Sequence, residues 1–104
     1  MKEIKITCKG SGMAKITELI NLQGDLKSLS QKNLEKLKRS IIKYGFTAPV
    51  FIWINKNKKY ILDGVQRLRA VESLLTEGWI LEEVPIVEIE AKNKKEAKEK
   101  LLYI

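Results

Sequence analysis

The chain has 104 residues, with 20 Lys and Arg against 13 Asp and Glu, no histidine, one cysteine and a formal net charge of +7. This composition predicts one basic, soluble, cytoplasmic domain over residues 1–104, either complete or part of a longer chain. Without histidine, Ser-His-Asp or Cys-His catalysis and imidazole metal ligation are excluded, and a single cysteine excludes an internal disulfide and a cysteine-cluster zinc site.

The first 25 residues contain two short apolar segments separated by glycine. Apolar and polar residues alternate from Glu3 to Cys8, which predicts a strand, and the sequence Gly10-Ser11-Gly12 ends it. Residues Ile16–Leu22 form a weaker apolar stretch, typical of either a short strand or a turn of helix. The sequence Gln23-Gly24-Asp25 that follows indicates a turn.

A basic amphipathic helix is predicted from Gln31 to Tyr44, between an N-capping Ser30 and a C-terminal Gly45. Four cations share one face of this helix, and we call them the basic stripe: Lys32, Lys36, Arg39 and Lys43. Four apolar residues lie nearly opposite: Leu34, Leu37, Ile41 and Tyr44. Like charges at this spacing destabilise a helix slightly. The stripe therefore predicts non-specific contact with a DNA backbone, against the alternative of a solvated helix face.

The second half of the chain predicts a hairpin, a helix, a strand and a last helix. The hairpin strands are Val50–Ile54 and Lys59–Leu62, with the turn between them. The second helix is expected from Val65 to Glu77, and the next strand from Val84 to Ile89. Asn93 and Glu96 resemble a capping box that begins the last helix. The fold class is therefore α/β (α+β), a small mixed sheet with three helices.

The junction between the hairpin and the second helix is a candidate anion site. Gly64 permits a sharp turn and a close ligand approach, and the helix after it offers free N–H groups and the positive end of its dipole. Arg67 is suited to a bidentate contact with phosphate. Asp63 is a candidate N-cap, ligand of a metal-bound phosphate, or partner that orients Arg67. The alternative is that Asp63 only caps the helix and the arginines lie on the surface.

The spacing of three segments resembles the ParB/sulfiredoxin-like N-terminal domain. These segments are Ser40-Ile41 to Pro49-Val50, Tyr60 to Ala70 with Asp63-Gly64-Val65-Gln66-Arg67 at its centre, and Val84 to Val87. The resemblance extends from about Ile16 to Ile89. Within that family, the chain is most similar to the ParB-like nuclease domains of phages and mobile elements, which often precede a DNA-modifying domain.

The resemblance implies a nucleotide ligand. In that family the glycine-led helix binds CTP in chromosome-partition proteins, ATP in sulfiredoxins and ADP in a free-serine kinase. It therefore implies CTP, ATP or ADP with Mg²⁺ as the cofactor, DNA as a partner, and a homodimer or a linked DNA-modifying domain as the assembly. Transferred to this sequence, the nucleotide or phosphate site comprises Gln23, Gly24, Asp63, Gly64, Val65, Gln66 and Arg67.

Val65 departs from the family pattern, which has His, Glu or Cys directly after the glycine. A valine side chain cannot coordinate a metal, transfer a proton or attack a phosphoryl group, and Cys8 lies in a different predicted strand. Sulfiredoxin activity is therefore excluded, and histidine-dependent cleavage is not expected. The site is predicted to bind phosphate rather than to react with it. Any remaining nucleotide hydrolysis or nuclease activity would depend on Asp63.

Three functions are consistent with the sequence. The first is a ParB-like, DNA-associated domain that binds a nucleotide or phosphate at Asp63-Gly64. The second is a small metal-dependent nuclease or phosphotransferase in which Asp25 and Asp63 hold the metal. The third is a protein-interaction module with a vestigial pocket. Of the two tryptophans, Trp53 is predicted to lie in the core, and Trp79 to be a packing lid or a base-stacking platform.

Overall fold

A computed structural model describes residues 2–8, 10–21 and 30–102. Its elements in chain order are β1 (Lys2–Glu3), β2 (Gly12–Lys15), a 3₁₀ helix (Ile16–Glu18), β3 (Leu19–Asn21), α1 (Gln31–Tyr44), β4 (Val50–Asn55), β5 (Lys58–Asp63), α2 (Val65–Thr76), β6 (Trp79–Ile80), β7 (Glu83–Glu88) and α3 (Lys94–Leu101). The predicted α/β class, with a mixed sheet and three helices among the described residues, is confirmed.

The main sheet has five strands in the order β2-β7-β4-β5-β3. The β4–β5 and β2–β7 pairs are antiparallel, and the β4–β7 and β3–β5 pairs are parallel. The predicted hairpin forms because Lys56 and Asn57 adopt positive φ angles of 52° and 64°. Two successive positive φ angles are typical of the tight turn whose twist matches that of the flanking strands. The short strands β1 and β6 pair separately, in parallel.

The sheet is covered on both faces. Because side chains alternate along its strands, neighbouring residues belong to different core clusters. Ile52 is buried in a core cluster that includes Ile41 of α1 and Leu74 of α2. Its neighbour Trp53 belongs to a second cluster, with Ala97 of α3. The Trp53 Nε1–H donates to the Ala91 carbonyl oxygen at 3.0 Å, so the indole is buried with its polar atom satisfied. The predicted core position of Trp53 is confirmed.

Helices α1 and α2 are joined by a buried lysine. The Lys38 side chain is buried, and its ammonium forms ion pairs with Glu77, the C-cap residue of α2, and with Glu35 at 3.4 Å. The hydrogen bond to Glu77 is the main cause that raises the pKa of Lys38, and the bond to Glu35 adds to it. Lys38 therefore points into the helix contact and does not extend the basic stripe.

The predicted strand from Glu3 to Cys8 is only partly present. Strand pairing is confined to Lys2–Glu3 and an isolated bridge between Ile6 and Phe46. The Gly10-Ser11-Gly12 break is a point of close packing, because a Cβ on Gly10 would lie 2.5 Å from the Ile86 carbonyl oxygen. Strand β2, which sequence analysis missed, begins at Gly12 and runs along β7.

Three other expectations changed in detail. Both forms considered for Ile16–Leu22 occur, since the 3₁₀ helix leads directly into β3, while Leu22 lies outside the described residues. Tyr44, expected on the apolar face of α1, is 58% exposed. Trp79 is half-buried in the short strand β6, with the Lys2 ammonium 5.6 Å from the centre of its ring, so it packs as part of a strand. Among the described residues, no helix has the length and apolar character needed to cross a membrane.

Candidate functional site

Gly64 begins α2 in a conformation that requires glycine. Its φ of 113° and ψ of 6° lie in the left-handed region. A Cβ at this position would lie 3.1 Å from Arg67 Nη2 and 3.3 Å from Val50 Cγ2. The first bond of the helix runs from the Leu68 N–H to the Gly64 carbonyl oxygen at 3.0 Å. The N–H groups of the preceding helical residues have no acceptor within the helix and form the positive end of its dipole.

Asp63 does not cap α2, because the N-cap residue is Gly64 and no side chain of a described residue bonds to the helix start. Asp63 is the exposed last residue of β5, paired through its backbone with Phe51 of β4. In the part of the chain that the structure describes, Asp63 and Arg67 form no ion pair. The expectations of a cap and of an orienting partner for Arg67 were therefore wrong. Its role as ligand of a metal-bound phosphate remains a prediction.

Arg67 is positioned by the start of β4. Its Nη2 donates to the Pro49 carbonyl oxygen at 2.8 Å, while its Nε is buried and has no hydrogen-bond partner among the described residues. The Oε1 of Gln66 is likewise buried and unpartnered within those residues. A buried polar atom without a partner costs roughly 1–3 kcal/mol. Two adjacent residues at the helix start therefore hold hydrogen-bonding capacity that the rest of the described chain does not use.

The charge of Arg67 extends its influence to Cys8. Burial raises the pKa of the Cys8 thiol, and the positive charge of Arg67 acts in the opposite direction. Cys8 is therefore held mainly as a neutral thiol at neutral pH, close enough to Arg67 to sense its charge. This thiol lacks the low pKa that activates reactive cysteines.

A pocket of about 350 Å³ opens at the start of α2. Its wall contains five of the seven predicted nucleotide-site residues together with Leu62: Asp63, Gly64, Val65, Gln66 and Arg67. Val65 also borders a second pocket of about 220 Å³, on the side of α2 that carries Arg69. The two other predicted residues, Gln23 and Gly24, lie outside the described residues. The structure thus brings together the part of the predicted site that it describes.

A larger groove of about 710 Å³ lies away from this helix start, between the 3₁₀ helix and the C-terminal half of α2. Its wall is mostly apolar, with Leu75 and Leu81, and it carries the carboxylates of Glu72 and Glu82 against Lys15. An excess of acidic groups disfavours phosphate binding, so size alone does not identify the phosphate site. Sequence analysis missed this groove because neither β2 nor the path of the 3₁₀ helix was predicted.

The basic stripe lies in solvent along α1. All four of its side chains are exposed, and none forms an ion pair with another described residue. From Lys32 to Lys43 the stripe spans about 17 Å of helix at 1.5 Å per residue. Phosphates on one strand of duplex DNA recur about every 3.4 Å, so the stripe is as long as about five of them.

The described residues contain no group of three or more His, Cys, Asp or Glu side chains close enough together to hold a metal ion. Asp25, the proposed partner of Asp63 in metal binding, lies outside the described ranges. The pairing of these two aspartates, and any catalytic role for Asp63, therefore remain predictions.

Comparison with known proteins settles the family. The model of the ParB N-terminal domain matches residues 4–101. The chain belongs to the ParB N-terminal domain family. Its similarity to ParB thus extends over nearly the whole sequence, well beyond the segments on which the resemblance rests. No curated protein sequence matches the chain.

Solved structures similar to this ParB domain share its fold. The C-terminally truncated chromosome-partitioning protein ParB from Caulobacter crescentus, complexed with CTP-γ-S, is 24% identical with a TM-score of 0.68 over 88% of this chain and 49% of that chain. The same truncated ParB complexed to the centromeric parS site is 22% identical, with a TM-score of 0.63 over 86% of this chain and 43% of that chain. Sulfiredoxin from Arabidopsis thaliana is 17% identical, with a TM-score of 0.64 over 88% of this chain and 94% of that chain.

These likenesses confirm the ParB/sulfiredoxin fold. The chain spans about half the length of the two ParB structures it resembles, and nearly all of the sulfiredoxin.

Proposed function

We propose that this ParB domain binds the phosphates of a nucleotide at the Gly64 helix start and contacts the DNA backbone through the basic stripe. The observation that carries the nucleotide site is the combination at one pocket of a glycine-led helix start and a half-anchored arginine. The helix supplies unbonded N–H groups, and Arg67 supplies a guanidinium with one donor fixed to Pro49 and a buried Nε that has no acceptor among the described residues. Both features favour an anion.

The ligand we favour is a nucleoside triphosphate, with CTP the first choice. The related Caulobacter crescentus ParB was solved with CTP-γ-S, a triphosphate analogue. The pocket of about 350 Å³ at the helix start is large enough for phosphate groups. The adjoining pocket across Val65, whose wall carries Glu72 as well as Arg69, offers space for the part of the ligand without phosphate. Because Val65 replaces a residue capable of proton transfer, the site is expected to bind nucleotide without rapid turnover.

Magnesium fits this arrangement as a companion of the nucleotide. Mg²⁺ is usually held by one or two carboxylates, the phosphates of its substrate and several waters. Asp63 supplies one exposed carboxylate at the pocket wall. When bound, the ion would neutralise phosphate charge, while Arg67 and the helix start would orient the phosphates.

The basic stripe is the proposed DNA surface. Its four cations are exposed and unpaired among the described residues, and local helix stability does not account for their alignment. A related ParB was solved in complex with its centromeric parS site, which supports DNA as the partner of this domain. Contacts from lysine and arginine to phosphate carry no sequence information, so the expected binding is non-specific.

The nucleotide site is tested by thermal shift with CTP, ATP, ADP and inorganic phosphate, each with and without Mg²⁺. We expect a nucleotide to raise the melting temperature of the wild-type chain and of Arg39→Gln, but not of Arg67→Gln. The two variants lose the same charge, one on the basic stripe and one at the helix start. Equal ligand-induced shifts in all three proteins would contradict the proposed site.

The DNA surface is tested by the salt dependence of duplex binding. Four phosphate contacts predict a slope of about −3.6 in log K against log salt, equivalent to roughly 150-fold weaker binding between 50 and 200 mM salt. Arg39→Gln should reduce the magnitude of the slope by about 0.9. Arg67→Gln should leave it unchanged. Binding that does not vary with salt would contradict the role of the stripe.

A further inference from the structure

We propose that the C-terminal end of the basic stripe binds single-stranded DNA, with Tyr44 stacking against an unpaired base. The inference rests on the proposed contact of the stripe with DNA and goes beyond it, because it names the form of the DNA and a residue that touches a base. It does not depend on the nucleotide site at Gly64.

Tyr44 is exposed where its helical spacing predicts burial. Leu34 and Leu37 are partly buried against the core and Ile41 is buried, but Tyr44, the last residue of α1 on that side, is 58% exposed. The core contact of the helix therefore ends one turn before the tyrosine. A large aromatic ring is left in solvent at the end of a cationic surface.

The backbone beneath this ring is held in place. The Gly45 N–H donates to the Ile41 carbonyl oxygen at 2.8 Å, which closes the helix, and the Thr7 hydroxyl donates to the Tyr44 carbonyl oxygen at 2.9 Å. A Cβ on Gly45 would lie 2.5 Å from the Lys5 carbonyl oxygen, so the two segments are in close contact. The backbone that carries the ring is thus held in place, which lowers the entropy lost when a base stacks on the ring.

One cation lies beside the exposed ring, and a second is exposed on the segment that packs against the end of α1. The Lys43 ammonium lies 5.2 Å from the centre of the Tyr44 ring, and exposed Lys5 belongs to the segment that packs beside the end of α1. Ile6, in the adjoining segment, is 38% exposed. A base stacked on Tyr44 would keep its own phosphate near Lys43.

This mixture of groups favours a single strand over a duplex. A duplex presents phosphates to the outside and keeps its base faces stacked inside, so an exposed ring has little to contact. A single strand offers both the phosphates and the faces of its bases, and basic grooves with aromatic side chains are typical of proteins that bind it. Tyrosine is common at protein interfaces but lysine is depleted there, so the lysines beside Tyr44 favour a nucleic-acid partner over a protein.

The test compares a short oligothymidine strand with a duplex of equal length, measured by fluorescence anisotropy on the full chain. Loss of one stacked base weakens binding by about 1–3 kcal/mol, which corresponds to roughly 5- to 150-fold. Tyr44→Ala should show this loss for the single strand and no change for the duplex. Tyr44→Phe should bind both as the wild type does. Leu102→Ala, which removes an 81% exposed apolar side chain directly after α3, is the matched control and should change neither.

Because Tyr44 is exposed, its removal should leave the urea unfolding midpoint unchanged, and this is measured in parallel. Three results would overturn the proposal: a duplex bound as tightly as the single strand, no effect of Tyr44→Ala, or tighter binding of an RNA strand of the same length. If Arg39→Gln also leaves DNA binding unchanged, the stripe itself is not the DNA surface. If Arg39→Gln weakens DNA binding and Tyr44→Ala does not, the stripe contacts DNA but Tyr44 does not stack on a base.

Discussion

Replacing Gly64 with alanine tests the backbone and the ligand pocket at the same position. Gly64 has a φ of 113°, which residues with a side chain rarely adopt. The added methyl group would also lie 3.1 Å from Arg67 Nη2 and 3.3 Å from Val50 Cγ2. At this distance the Arg67 guanidinium must move away by a few tenths of an ångström. The movement strains its 2.8 Å hydrogen bond to the Pro49 carbonyl oxygen.

The expected loss of stability follows from these distances and angles. A non-glycine residue held in a sparsely populated backbone region costs about 1–3 kcal/mol. Alanine also restricts the unfolded chain, which offsets about 0.4–1 kcal/mol. The net loss is therefore about 1–2 kcal/mol from a total of roughly 5–15 kcal/mol for a domain. In a domain of this size the corresponding fall in melting temperature is about 4–16 °C.

Gly78 supplies the matched control. Its φ is 96°, and a Cβ there would meet no atom of the described residues within 4 Å, so Gly78→Ala has the backbone cost without touching Arg67. Urea unfolding should show similar destabilisation of the two variants. Titration with CTP should show at least tenfold weaker binding for Gly64→Ala and wild-type affinity for Gly78→Ala, with both measured well below their melting temperatures.

The reasoning is refuted by either of two results. If Gly64→Ala loses stability but binds CTP as the wild type does, the α2 start and Arg67 are not the nucleotide site. If Gly78→Ala loses binding to the same degree, the effect comes from general destabilisation and not from crowding at Arg67.

The remaining predictions concern three titrating groups. Since hydrogen bonding raises the pKa of Lys38 above 10.5, its contribution to stability is complete below pH 10.5 and is lost as the pH rises through the higher folded-state value. Alkaline urea melts should therefore show a loss in the wild type that Lys38→Met lacks, and parallel curves would contradict this. The Lys59 ammonium, 2.8 Å from Glu18, lowers the pKa of that carboxyl below 4.5. Its contribution is present above pH 4.5 and is lost as the pH falls through the lower value, so Lys59→Gln should flatten the acid limb of the stability curve, which an unchanged limb would disprove. Alkylation of Cys8 should follow a pKa above 9.0, and Arg67→Gln should raise it further by removing the opposing charge. Faster alkylation in that variant would count against the proximity of the two groups.

Elements that depend on local signals were predicted well. Helix α1 begins and ends as expected because the Ser30 hydroxyl accepts from the Asn33 N–H at 3.2 Å, and Gly45 follows its last turn. The β4–β5 hairpin follows from its turn residues. Helix α3 begins at its expected cap, where the Asn93 side chain accepts from the Glu96 N–H at 2.9 Å. In each case the groups that define the element lie within four residues of one another.

Features that depend on distant partners were not predicted. Strand β2 exists because it pairs with β7, about seventy residues further along the chain. The burial of Lys38 requires Glu77 on another helix. At the site, the glycine-led helix was foreseen from adjacent residues. The hydrogen bond from Arg67 to the Pro49 carbonyl oxygen was not predicted, because every residue has a backbone carbonyl and no sequence pattern identifies one 18 residues away as the partner. Asp63 was considered as an N-cap because aspartate is common at that position, but Gly64 directly before Val65 is the N-cap residue.

The bond from Arg67 to the Pro49 carbonyl oxygen makes the proposed phosphate site a joint property of α2 and the residue that precedes β4. A chain in which these two elements have separated has no assembled site. An anion that binds the site therefore favours the state in which the two elements are in contact. It stabilises the folded protein by an amount that grows with the logarithm of the anion concentration. Amide hydrogens along β4 should then exchange more slowly with solvent when the ligand is present, although β4 itself need not touch it.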